Sequence, residues 1–201
     1  MKISDILTRK KTLSFEIFPP KREDEKFTLI EKTISAMDAL NPDFISVTYG
    51  ALGNTLSNTV AIASHIKNNT NAEPLAHFTC VASTKNKVDS ICNELNAAGI
   101  ENILTLRGDI PKDNNQPIFT DFKRASDLAE YIHASRPGTF MTAGACYPEK
   151  HPEAFSMRED IDNLKKKQDA GMSFFTSQLF FDNEAFYQFL LAARNAGVTA
   201  P

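Results

Sequence analysis

The sequence predicts an α/β protein built on a parallel sheet, and two observations carry that expectation. Short apolar runs rich in Ile, Val, Phe and Thr recur about thirty residues apart, and each is followed by a stretch whose apolar residues take helical spacing. No long stretch of consecutive strands interrupts the rhythm, and strands joined through helical crossovers pair in parallel.

The predicted strands are Leu13 to Phe18, Phe44 to Tyr49, Leu75 to Cys80, Asn102 to Leu106, Phe140 to Tyr147 and Phe174 to Phe180. After the first, Phe27, Ile30, Ile34 and Met37 recur every three or four residues and share one helix face. Val88, Ile91 and Leu95 do the same after the third, and these faces belong to the core. Ser156, with Glu159 three residues on, is a capping box that opens a helix; Gly99, Gly171 and Gly197 stand where helices should stop.

Two parallel architectures fit this pattern. A doubly wound nucleotide fold usually carries G-x-G-x-x-G in its first turn, but Gly50, Gly53, Gly108, Gly138 and Gly144 never take that spacing, and no G-x-x-x-x-G-K-[ST] occurs. A TIM (β/α)8 barrel needs no such loop, although it typically takes about 250 residues. The chain has 201 residues and ends at "AGVTAP", which reads as a loop leading into a seventh strand. The expectation is one barrel domain over residues 1–201 with about six strand-helix units, its last two units missing. An open barrel exposes strand edges, so such a chain is expected to be unstable, to self-associate or to bind its ligand weakly.

Composition narrows the function classes. The balance of 22 basic against 25 acidic residues gives a net charge of -3, and no basic block exceeds Lys165-Lys166-Lys167, so no nucleic-acid surface is expected. The three cysteines, Cys80, Cys92 and Cys146, lack CxxC spacing, and "MKISDILTRKK" has no long apolar run. These features read as a reduced, cytoplasmic protein with no membrane span. "HFTC" and "CYPEKH" each pair a His with a Cys, but not at zinc spacing, and no metal is expected.

The polar residues collect at the C-terminal ends of the predicted strands. Glu16 precedes Pro19-Pro20, Thr48 and Tyr49 end the second strand, and His77 ends the third. Arg107, Gly108 and Asp109 end the fourth, Tyr147 and His151 follow the fifth, and Gln178 closes the sixth. In a barrel this end carries the chemistry. Taken singly, each has an ordinary reading: Glu16 as an exposed residue of an alternating strand, His77 as a satisfied structural histidine, Asp109 as a turn residue before a proline. Their convergence is what marks a site.

"LSFEIFPPK", "FISVTYGA", "AHFTC", "NILTLRGDIP", "YPEKHPEA", "KKKQDAG" and "SQLFFD" resemble, in order and spacing, the signature segments of the bacterial-type methylenetetrahydrofolate reductases. The resemblance runs from about Thr12 to Gly197. It implies a catalytic barrel that holds FAD and uses NADH or NADPH to reduce 5,10-methylenetetrahydrofolate to 5-methyltetrahydrofolate, feeding methionine synthesis. It also implies a homo-oligomer for the full-length protein.

By the same resemblance Glu16 is the general acid that opens the five-membered ring of the folate, and a carboxyl group partly desolvated in a barrel mouth suits that task. Asp109 is expected near flavin and pterin, where its charge opposes negative charge on a reduced flavin and favours a cationic iminium. Gln178 would recognise the pterin, whose edge offers both donors and acceptors, as an amide does. The resemblance assigns flavin contacts to Thr48, Tyr49, His77, Arg107, Gly108, Asp109, Ala125, Tyr147 and His151. Asp160, Asn163 and Lys167 stand at i, i+3 and i+7 on one helix face with Lys166 beside it; Asp160 would take ribose hydroxyls and the lysines a pyrophosphate. Without the resemblance, those lysines read as a solvated run favoured by the helix dipole. Phe180 and Phe181 read as core.

The chain departs from the family pattern at Arg124-Ala125, where many members have Tyr-Ala. Two other readings stand beside the reductase: a non-catalytic barrel fragment with residual flavin binding, and a flavin-free barrel lyase or aldolase using Glu16 as base. The lyase reading lacks an evident Schiff-base lysine at a strand end.

Overall fold

The computed structural model describes residues 1–19, 27–49, 56–109 and 119–201. The elements in chain order are α1 (Ile3–Leu7), β1 (Ser14–Ile17), α2 (Phe27–Asp38), β2 (Phe44–Val47), α3 (Leu56–Asn69), β3 (Glu73–Thr79) and α4 (Lys85–Ala97). They continue with β4 (Asn102–Leu106), α5 (Ala125–Ser135), β5 (Met141–Cys146), α6 (Met157–Asp169), β6 (Met172–Ser177) and α7 (Asn183–Asn195). The six strands form one sheet in the order β1-β2-β3-β4-β5-β6, each neighbouring pair parallel. Strand order that follows chain order belongs to a barrel winding, whereas a doubly wound sheet reverses at a switch point.

The sheet is curled. β2 and β6 are four strand steps apart, which in a flat sheet would separate them by about 19 Å. The rings of Phe44 on β2 and Phe174 on β6 have centroids only 6.1 Å apart. Alternation along the strands then makes two apolar layers. Phe44, Leu75, Leu104, Met141, Ala143 and Phe174 fill the concave side. Ile17, Ile45, Val47, Ala76, Phe78 and Ile103 pack outward with Ile30 and Ile34 of α2 and Val88, Ile91 and Leu95 of α4. Six parallel strands thus form a curled half-barrel, and among the described residues β1 and β6 each have one paired edge. The Pro201 carbonyl accepts a hydrogen bond from the Phe175 amide at 2.9 Å, so the final residue lies along the other edge of β6.

The short helix α1, which the sequence pattern did not signal, closes the N-terminal end of the strands. Ile3 is fully buried in the concave cluster. Asn102, also fully buried, accepts from the Ile3 amide at 2.9 Å and donates to the carbonyls of Met1 at 3.1 Å and Pro74 at 3.3 Å. The N-terminal ammonium meets Glu73 at 3.0 Å and Glu101 at 2.8 Å.

The expected helix boundaries are confirmed. Ser156 Oγ accepts from the Glu159 amide, Glu159 Oε2 accepts from the Phe155 amide, and Gly99, Gly171 and Gly197 take positive φ just past α4, α6 and α7. Several expected placements need correction: β2 stops at Val47, so Thr48 and Tyr49 lie just past it, and β3 runs on to Thr79, so His77 is inside the strand and not at its end. β6 ends at Ser177, so Gln178 lies just beyond the strand rather than closing it. Phe181 is 90% exposed and not core, while Phe180 stacks on Phe186 of α7 at 4.6 Å. The pattern erred because an aromatic run reads as strand whether it is paired or lies in the following loop. Among the described residues no helix is long and apolar enough to cross a membrane, and the three cysteines are free and buried.

Candidate active site

Two cavities open from the sheet, and between them they take up most of the residues singled out in the sequence. The smaller, of about 150 Å³, is lined by Glu16, Ser46, Phe44, Leu75, Leu104 and Thr176, among others, on the concave face. Glu16 reaches it because the next residue, Ile17, alternates to the other side of β1, where it is buried under the helices. The parallel register sets Glu16 beside Ser46. Ser46 Oγ donates to Glu16 Oε2 at 3.1 Å. His77 Nε2 lies 3.4 Å from the same oxygen.

His77 is only 7% exposed, and burial pushes its pKa down to about 4. A neighbouring carboxylate works in the opposite direction, but desolvation of the imidazolium is the larger effect here. The Glu16–His77 contact is therefore between a carboxyl group and a neutral imidazole, not an ion pair. At its present angle it is not a hydrogen bond, and the buried Nε2 has no partner among the described residues. Leaving such a group unpaired costs about 1–3 kcal/mol. Tyr49, two residues past the end of β2, presents a second orphan: its buried hydroxyl has no described partner, and burial raises its pKa to about 12. Its ring packs 5.9 Å from that of Phe78.

The larger cleft, of about 280 Å³, runs between the ends of β4 and β5 and the helices α5 and α6. Arg107, Ala125, Tyr147, His151, Asp160, Asn163, Lys166 and Lys167 all line it, so the face expected on α6 does meet the ends of β4 and β5. Its polar groups are cross-braced. Arg107 grips Glu153 with both terminal nitrogens, which raises the pKa of the guanidinium and lowers that of the carboxyl. Asp160 Oδ2 accepts from the His151 amide at 2.8 Å, and His151 Nδ1 accepts from the Glu153 amide at 3.1 Å. The His151 ring stands edge-on to Tyr147 at 4.6 Å.

The two lysines differ. Lys166 is exposed and donates to Asn163 Oδ1 at 3.2 Å. Lys167 turns inward to donate to the Ala145 carbonyl at 2.6 Å, and burial lowers its pKa against the opposing pull of Asp160. It is not part of a solvated charge run.

The remaining expected residues lie around these cavities. Thr48 hydrogen-bonds through its backbone to Ile17 and Thr59. Gly108 has φ +86°, and a Cβ there would sit 3.0 Å from Thr79 Cβ and Val81 Cγ2. Asp109 follows it, exposed. Gln178, also exposed, is fixed through its amide to the Cys146 carbonyl at 2.8 Å. The sequence reading missed Ser46 and Glu153. Strand register could have found Ser46, two residues before Thr48; Glu153 lies in the quoted segment "YPEKHPEA", but nothing in the sequence pairs it with Arg107, 46 residues away.

A family model described as methylenetetrahydrofolate reductase matches residues 2–201. The chain is 37% identical over 186 residues to 5,10-methylenetetrahydrofolate reductase of Escherichia coli, covering 92% of this chain and 60% of that protein. It is 36% identical over 199 residues to a probable methylenetetrahydrofolate reductase (NADH) of Oryza sativa, covering 94% of this chain and 33% of that one. Among solved structures it resembles 2,3-dimethylmalate lyase at a TM-score of 0.63 and 11% identity, over 96% of this chain and 68% of that one. It also resembles oxaloacetate acetylhydrolase at 0.64 and 13%, over 95% and 67%. At such identities these two likenesses speak for the fold alone. The family match over nearly the whole length, with the bacterial and plant relatives, shows that this chain belongs to the methylenetetrahydrofolate reductase family.

Proposed function

We propose that this chain is the core of a catalytic barrel that reduces 5,10-methylenetetrahydrofolate to 5-methyltetrahydrofolate, with FAD as bound flavin and NADH or NADPH as donor, in the service of methionine synthesis. The observation that carries the reading is the placement of Glu16. It sits on the concave face at the strand ends, with one carboxyl oxygen held by Ser46 and 43% of its side chain still accessible. An acid that is anchored yet reachable suits a ring-opening proton donor.

The residues of the larger cleft fit a flavin dinucleotide by their chemistry. Lys166 and Lys167 supply cations for a pyrophosphate, Asp160 an acceptor for ribose hydroxyls, and Arg107, Tyr147 and His151 a charged and aromatic wall. When bound, the flavin supplies the hydride. The protein's own step is the proton: the Glu16 O–H bond breaks as an N–H bond forms on the folate, the ring C–N bond opens, and an iminium carbon is left to be reduced. Asp109 favours that cation and Gln178 reads the pterin. The expected partners are the folate and, for the full-length protein, further copies of itself; the net charge of -3 gives no reason to expect nucleic acid or an anionic membrane surface.

The visible spectrum of the reconstituted protein tests the reading. Flavin absorbance that bleaches anaerobically with NADH or NADPH and returns on adding the methylenefolate is the expected result. Flavin that binds without bleaching points instead to a non-catalytic piece that keeps the fold. Glu16→Gln should abolish folate reduction and leave flavin reduction largely intact; equal loss of both half-reactions contradicts the acid role.

A further inference from the structure

The contact that the proposed chemistry leaves unexplained is that of His77 with Glu16. A buried imidazole nitrogen without a partner is rare in folded proteins, and here it stands 3.4 Å from the oxygen that already accepts from Ser46. A hydrogen bond to a ring N–H is usually about 2.9–3.0 Å. The gap is therefore a few tenths of an ångström and a change of angle, and active-site hydrogen bonds that are loose without substrate often tighten when it binds.

We propose that His77 is a positioning residue for Glu16: as the second donor to Oε2 beside Ser46, its Nε2–H fixes the carboxyl so that Oε1 carries the transferable proton. This division between the oxygens follows from their surroundings. Oε2 is approached by two groups from neighbouring strands, β2 and β3, whereas Oε1 has no hydrogen-bond partner among the described residues. A carboxylic acid with donors on one oxygen keeps its proton on the other. Burial holds His77 neutral, so it orients the acid without competing with it for a proton at neutral pH. The assignment rests on the reductase reading for its catalytic consequence, but the approach of Nε2 to Oε2 is already made in the protein without ligand.

Two measurements separate these claims. In the apoprotein, the ¹³Cδ resonance of Glu16 should shift and broaden in Ser46→Ala and again in His77→Leu, and His77→Gln, which keeps an N–H donor, should restore it in part. A signal that ignores the identity of residue 77 overturns the proposal whatever the enzyme does. In the reconstituted protein at saturating flavin, His77→Leu should slow single-turnover folate reduction by about tenfold or more, and by several-fold more than it slows flavin reduction. In a Glu16→Gln background the same change should have no further effect, because residues acting as a unit are non-additive. Equal slowing of both half-reactions, or full additivity with Glu16→Gln, would show His77 to be a flavin or packing residue. A normal NMR result with no folate reduction by the parent protein would count against the reductase reading and leave the positioning standing.

Discussion

Arg107 at the end of β4 and Glu153 beyond β5 form a two-pronged ion pair across the wall of the larger cleft, one nitrogen meeting one oxygen at 2.7 Å and the second pair closer still. The guanidinium is 30% exposed and the carboxylate 58%, so the pair is open to competition from a ligand. An anionic group entering the cleft meets an arginine already engaged by an internal carboxylate.

Removing that competitor should strengthen anion binding. Glu153→Gln keeps the shape and removes the charge, and FAD should bind several-fold tighter; Arg107→Ala should weaken it by about tenfold to a hundredfold, as loss of a charge-assisted hydrogen bond implies. Quenching of flavin fluorescence on titrating the apoprotein gives both affinities. Weaker binding in Glu153→Gln would mean that the pair orders the wall more than it blocks the ligand.

The burial of His77 predicts a pH-dependent stability with a definite sign. Its folded pKa of about 4 lies below the unfolded value of 6.5, so between these pH values the unfolded chain binds the extra proton and acid favours unfolding. The contribution is absent above the unfolded pKa, and stability falls as pH drops from about 6.5 toward 4, by about 3 kcal/mol over the full range. Urea unfolding of the parent and of His77→Gln at pH 7 and pH 4.5 should show a gap that narrows or reverses in acid. A constant gap would contradict the depressed pKa.

The sequence displayed some of this architecture and hid the rest for physical reasons. Period-two alternation placed Glu16 opposite Ile17, and helical spacing placed Asp160, Asn163 and Lys167 on one face, because both are local properties of the backbone. The curl that brings Phe44 against Phe174 is a collective property of the sheet, which the sequence suggested only indirectly, through the missing nucleotide-loop spacing and the family resemblance. Helix α1 has five residues, too few to show a period, and its place depends on Asn102 about a hundred residues away. The braces Arg107–Glu153 and Ser46–Glu16 join segments separated by 46 and 30 residues, so which residue pairs with which shows only once the strands lie side by side.

At Gly108 backbone and packing both forbid a side chain. Its φ of +86° disfavours any L-residue, and the added Cβ would press on Thr79 and Val81 of the neighbouring segment. Gly108→Ala should lower stability by about 1–3 kcal/mol and shift Arg107 and Asp109, its neighbours at the mouth of the site. Flavin affinity should fall with it. A variant as stable as the parent in urea would show that the turn has room the structure does not display.

The buried Asn102 offers the sharpest test of how the open end of the sheet is closed. Its amide serves three backbone groups, at Met1, Ile3 and Pro74, and joins α1 to the start of β4 and to β3. Asn102→Ala strands an amide N–H and carbonyl oxygens in a site without exposure and leaves a cavity as well, so a loss of about 2–4 kcal/mol is expected. For a chain of this length that lowers Tm by roughly 5–15 °C. Asn102→Asp keeps the volume and the acceptor for Ile3 but turns the donor into a charge facing two carbonyls. It should be at least as destabilising near neutral pH and recover on acidification, when the carboxyl is protonated and can donate again. Calorimetry of the two variants at pH 7 and pH 5 checks both statements, and an Asp variant indifferent to pH would show that α1 is held by Ile3 packing and the terminal ammonium instead.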